Sequence, residues 1–221
     1  MEVCFITNST LTNIEEQKLG EIKDSELVIF GFNGLGLVSY KKELSGETEY
    51  FQDLAKFSKQ ISSVVICGCD TDTYGVFRHS AVVADKGRIL GVTDMMNQIG
   101  ESEYVAGGAV KVYETSVGKI GIIIAEDLYF PKVSEILAVC DADFIVCIFH
   151  HIDGQMPQIV LRSSAFINGL PMSLIAKSYA LISDEKGSVT MASSSDLVFA
   201  TIKKEKNYTL ITTRKRGIVK P

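Results

Sequence analysis

Short apolar runs recur at Val3–Ile6, Leu27–Phe32, Ser63–Cys67, Ser80–Ala84, Lys111–Tyr113, Ile120–Ile124 and Phe144–Phe149. Ile120–Ile124 and Phe144–Phe149 are apolar throughout instead of alternating, the pattern of strands whose sheet is covered on both faces. Helical periodicity appears between the runs. Glu49–Ile61 gathers Phe51, Leu54, Ala55, Phe57 and Ser58, and Pro131–Val139 gathers Val133, Ile136, Leu137 and, just beyond it, Cys140. A third helix is predicted over Ile159–Asn168, stopped by Gly169 and Pro171. Asp85-Lys86-Gly87 and Asp184-Glu185-Lys186-Gly187 separate apolar runs as hairpin turns do. Lys203–Lys206 and Arg214-Lys215-Arg216 flank Tyr208–Ile211 and read as charged borders of a last strand. Composition breaks nowhere and nothing repeats, so residues 1–221 are expected to form a single domain. The class is α/β, either a layered α-β-β-α arrangement or an open sheet; periodicity does not choose.

Composition narrows the function classes. The chain has 221 residues and 22 Lys+Arg against 27 Asp+Glu, a net charge of −5, which argues against nucleic-acid partners because phosphate neutralisation needs a basic face. At 46% hydrophobic and 22% charged the chain is too apolar for wholesale disorder. No apolar run approaches the roughly 20 residues that span a bilayer, and Met1–Phe5 lacks a signal-peptide start. Five cysteines, an odd number, fit reduced thiols. The expectation is a soluble cytoplasmic protein without membrane or nucleic-acid partners.

Chemistry concentrates in Gly118–Pro131. Its pattern is a turn, a buried strand, a polar strand end and a proline suited to the first turn of a helix. Strand ends facing helix starts are where α/β proteins build sites. The segment resembles the nucleophile motif Gly-Val-x-Ile-Cys-Tyr-Asp-x-x-Phe-Pro of the nitrilase superfamily of carbon-nitrogen hydrolases, matching at Gly121, Ile124, Asp127, Phe130 and Pro131. Four other stretches agree in order. Glu26–Phe30 is similar to the family's Asp-Leu-Val-Val-Phe-Pro-Glu strand, Ser80–Gly91 to its Asn-Ser-Ala hairpin, Asp141–Phe144 to its Gly-Ala-Asp strand entry, and Arg162–Gly169 to its Arg-Ala-x-Ala-x-Glu-Asn-Gly helix. The resemblance implies the α-β-β-α sandwich. It also implies a homodimer or higher homo-oligomer formed through the helices at Pro131–Val139 and Ile159–Asn168.

The family's reaction uses a Cys nucleophile, a Glu base and a Lys for the oxyanion. Carried over by position, the Cys is Ala125, the Glu is Phe32 and the Lys is Met95. The second family Glu falls on Glu101 or Glu103, and the Glu of the Glu-Asn helix on Ile167, with Asn168 kept. The resemblance therefore implies a homologue without hydrolysis, serving binding, regulation or scaffolding. Asp94, Asn97, Glu101, Glu103, Glu126, Asp127 and His150 are the polar remnant of its pocket, able to hold a small-molecule ligand, a protein partner being the other use of the fold. No cofactor and no metal is expected. The rival reading is a hydrolase of amide-type bonds or another small substrate in the same cleft, with Cys147 or His150 as a relocated active group.

Physical arguments bear on the remaining candidates. Cys147 lies inside an apolar run, where inert buried thiols are common. His150 and His151 are adjacent, so one at most faces a given cavity. Cys67 and Cys69 share one strand face without two further zinc ligands in evidence, which favours core packing. Gly31-Phe32-Asn33-Gly34-Leu35-Gly36 has neither the dinucleotide fingerprint nor a following Lys-Ser/Thr, so it reads as a tight loop. Asp127 is expected to orient backbone at the strand end.

Overall fold

A computed structural model describes residues 1–14 and 16–203. The basic C-terminal strand anticipated around Tyr208–Ile211 lies outside the described residues. Two sheets carry the fold. The first has β1 (Glu2–Ile6), β2 (Leu27–Phe30), β3 (Gly36–Ser39), β4 (Val64–Thr73), β5 (Val76–Asp85), β6 (Arg88–Asp94) and β13 (Leu197–Thr201). Its order is β13-β1-β2-β4-β5-β6, with β3 paired to the C-terminal half of β4. The second sheet runs β12-β11-β10-β9-β8-β7, from β7 (Val112–Thr115), β8 (Gly118–Ile124), β9 (Phe144–Ile148), β10 (Met172–Ala176), β11 (Tyr179–Ser183) and β12 (Val189–Ser193). Each sheet has a parallel centre, β1-β2-β4 and β8-β9-β10, and antiparallel flanks.

Parallel centres need helical crossovers, and these cover the outer faces. α1 (Glu16–Ile22), α2 (Tyr40–Ser45) and α3 (Tyr50–Ile61) belong to the first sheet, α4 (Pro131–Val139) and α5 (Met156–Asn168) to the second. The layers are thus α-β-β-α, and the open-sheet alternative is excluded.

Alternation sorts the strands between two cores even where every residue is apolar. In β1, β2 and β4, Val3, Phe5, Leu27, Ile29, Val64 and Ile66 face the second sheet, while Cys4, Ile6, Val28, Phe30, Val65, Cys67 and Cys69 face the helices. Cys67 and Cys69 are therefore buried helix-side packing, and all five cysteines are free. Both anticipated hairpins are present. The β5–β6 turn places Lys86 and Gly87 at φ 45° and 93°, the pair of positive values a two-residue hairpin turn requires. The strand expected over Leu27–Phe32 stops at Phe30, because Gly31–Gly34 closes into a turn through a Gly34 N–H to Gly31 carbonyl bond of 2.9 Å. α5 begins three residues earlier than its periodicity suggested, with Pro157 in its first turn. No helix of the described residues is long and apolar enough to cross a membrane.

Candidate functional site

The parallel strands β8 and β9 end side by side, paired through Ile124 and Ile148. The chain then turns sharply at Ala125, whose φ is +46°, and runs through one tight helical turn, Ala125–Tyr129, to Pro131 at the start of α4. A non-glycine residue in the left-handed region carries strain that persists only where its surroundings enforce it. Such strand-to-helix elbows are how hydrolases hold up a nucleophile. Here the elbow presents a methyl group.

Phe32 and Met95 are buried with Ala125 in the core cluster between the sheets, at 5%, 2% and 6% exposure. Phe32 is fixed by Gly68 of β4, where a β-carbon would come within 2.9 Å of the Phe32 backbone and of Ile148. Met95 extends the β5–β6 ladder, its N–H donating to the His79 carbonyl at 2.8 Å. Asp127 supplies the polar link. Its carboxylate accepts the N–H groups of Met96 (2.9 Å) and Asn97 (2.7 Å) and the Asn97 side-chain amide (2.8 Å), tying the segment after β6 to the end of β8. Burial raises the Asp127 pKa above the ordinary carboxylate value; these three bonds oppose the rise and the Glu126 charge adds to it.

Of the pocket residues read from sequence, Asn97, Asp127 and His150 lie at this end of the sandwich and Glu126 is half-buried beside Asp127. Asp94 is turned to the other side of its sheet. Side chains alternate along β6, so Asp94 accepts a hydrogen bond from Ser80 (2.7 Å) and lines a separate cavity of about 250 Å³ with Tyr40 and Leu44 of α2, Thr71 and Arg78. Glu101 and Glu103 are exposed on the β6–β7 connection; the side chain that turns inward there is Tyr104. Cys147 is fully buried in β9, and burial pushes its thiol pKa well up, which removes the thiolate a nucleophile needs. His151 faces outward onto Asp153 at 3.1 Å, as expected of adjacent histidines.

The structure adds residues that the sequence reading passed over. Asp70 of β4 and His79 of β5 are cross-strand partners, with Asp70 Oδ1 2.7 Å from His79 Nδ1. His150, following β9 on the other sheet, brings its Nε2 to 3.1 Å from His79 Nδ1 and 3.6 Å from Asp70 Oδ1. Phe32 stacks on the His150 ring (centroids 3.7 Å, 9°) and Tyr104 on the His79 ring (3.7 Å, 18°). The Tyr104 hydroxyl donates to Asp70 Oδ2 at 3.3 Å. Burial works to raise the Asp70 carboxyl, but the His150 and His79 imidazoles outweigh it and hold the carboxyl well below its usual range. A two-residue turn at Tyr74-Gly75, with φ 54° and 87°, sets Asp70 and His79 opposite each other, and Gly75 is the mark of that turn in the sequence.

Residues 24–201 match the carbon-nitrogen hydrolase family. The chain belongs to that family. It is 22% identical over 155 residues to a Schizosaccharomyces pombe protein described as a probable nitrilase, a match covering 66% of this chain and 57% of that protein. The chain thus spans little more than half the length of the curated relative it matches. A Helicobacter pylori carbon-nitrogen hydrolase superposes with a TM-score of 0.78 at 16% identity, covering 98% of this chain and 94% of the other. Saccharomyces cerevisiae Nit3, a nitrilase-superfamily member, gives 0.75 at 15% identity over 99% and 94%. An amidase from Nesterenkonia gives 0.78 at 11% identity over 98% and 97%. These likenesses are of fold.

Proposed function

We propose that this carbon-nitrogen hydrolase homologue does not cleave carbon-nitrogen bonds and acts instead by binding, as a regulatory or scaffold protein. One observation carries the reading: Ala125 stands on the strained elbow, buried in the same apolar cluster as Phe32 and Met95. The Nesterenkonia amidase is described with adducts at its active-site cysteine; the position equated with that cysteine by motif is Ala125. Loss of a nucleophile typically costs about 10⁶ in rate, and apolar side chains at the base and cation positions remove the proton acceptor and the oxyanion partner as well. Apolar replacement of buried charges also favours folding, since no charge is desolvated.

The test is ammonia release from a panel of amides, nitriles and carbamoyl compounds. No turnover is expected from the protein, and none from Ala125→Cys, because base and cation are still missing. Turnover by either would overturn the reading.

A relocated active group is the second reading. Its support is the Asp70–His79–His150 cluster, with His150 as the accessible member; ammonia release abolished by His150→Ala would establish it. Cys147 is not favoured, being sealed in β9.

A homodimer belongs to the same proposal. α4 and α5 pack against each other and leave Ile136, Val139, Ile159 and Ile167 about half exposed or more, an apolar face suited to a second copy.

A further inference from the structure

Three side chains with metal-ligating atoms converge between the sheets. Asp70 Oδ1, His79 Nδ1 and His150 Nε2 are mutually 2.7, 3.1 and 3.6 Å apart. Ligand atoms around a tetrahedral metal with bonds of roughly 2.0–2.1 Å stand about 3.3 Å apart, and around an octahedral one about 3.0 Å. The observed spacings bracket those values.

The surroundings hold the ligands in place. Phe32 and Tyr104 stack on the two imidazoles and fix their planes. Tyr104 occupies Asp70 Oδ2 and leaves Oδ1 to the cluster, the outer-shell arrangement that orients metal ligands. Lys177 N–H donates to the His150 carbonyl at 3.1 Å, anchoring that loop to the edge of β10.

We propose that Asp70, His79 and His150 form a binding site for one divalent transition-metal ion of the zinc class, joining the β4–β5 hairpin of one sheet to the end of β9 in the other. Two imidazoles and one carboxylate are borderline donors that suit zinc, cobalt, nickel or ferrous iron over magnesium or calcium. Three protein ligands leave room for water or an anion. The loss of hydrolysis rests on Ala125, Phe32 and Met95, and of these Phe32 also touches this site with its side chain, through its stacking on His150.

Full-length protein stripped with a chelator and titrated with Zn²⁺ against a chromophoric competitor is expected to take up one equivalent per chain and to melt at a higher temperature when loaded. His79→Ala and His150→Ala are each expected to weaken uptake by at least about a hundredfold, beyond the ten- to hundredfold usual for outer-shell changes. His151→Ala is expected to leave it unchanged. His150→Ala trims a partly exposed loop residue, so it decides the matter even if His79→Ala unfolds. Absence of stoichiometric uptake, or uptake that survives His150→Ala, or uptake lost in His151→Ala, would overturn the site.

Discussion

Ala125 holds a backbone shape that its side chain does not need. An L-residue in the left-handed region costs about 1–2 kcal/mol, and glycine there is nearly free of that cost. The elbow persists because β8 and the turn leading to Pro131 enforce it, the two ends being fixed by sheet pairing and by helix α4. Glycine gives back roughly 0.5–1 kcal/mol in chain entropy. Ala125→Gly is therefore expected to raise stability by up to about 1 kcal/mol in urea unfolding. Destabilisation by more than that amount would show that the elbow is unstrained. The alanine at this position was legible in the sequence. Its φ was not, since a positive φ at alanine is imposed by neighbours and leaves no mark in composition.

At the scale of elements, Asp127 is the clasp between two hairpin-derived segments. Its three accepted hydrogen bonds hold Met95–Asn97 against the end of β8. Asp127→Asn keeps the shape but turns an amide N–H₂ toward N–H donors. An unsatisfied buried group costs about 1–3 kcal/mol, so a loss of roughly 2–3 kcal/mol is expected, seen as a lower denaturation midpoint with unchanged m-value. A loss below about 0.5 kcal/mol would mean that Asp127 does not clasp the loop. The expectation that Asp127 orients backbone came from its place in the motif; which backbone it holds came from the packing of the two sheets, which sets the segment after β6 against the end of β8. Asp94 shows the complementary failure. The sequence placed it next to Met95, and one residue along a strand is enough to send it to the opposite face.

For the whole molecule, α4 and α5 cover the second sheet with one face and leave a second apolar face outward, which in a monomer would be a patch open to water. Ile159→Glu combined with Ile136→Glu is expected to convert a dimer to a monomer in sedimentation equilibrium, with the fold retained by circular dichroism. A wild-type chain that sediments as a monomer at micromolar concentration would sink the dimer.

The sequence by itself determined the α/β class, the positions of most strands and of α3, α4 and α5, and, through motifs whose spacing resembles the family's, the layered arrangement. These are local quantities: periodicity, turn chemistry and residue identity at motif spacing. Tertiary structure decided which residues share a cavity. Asp70 and His79 come from two strands of one sheet and His150 from the loop after β9 of the other, and only the face-to-face packing of those sheets brings His150 to the Asp70–His79 pair. Hydrophobic burial fixed that packing, and the polar cluster at its rim follows from register set many residues away.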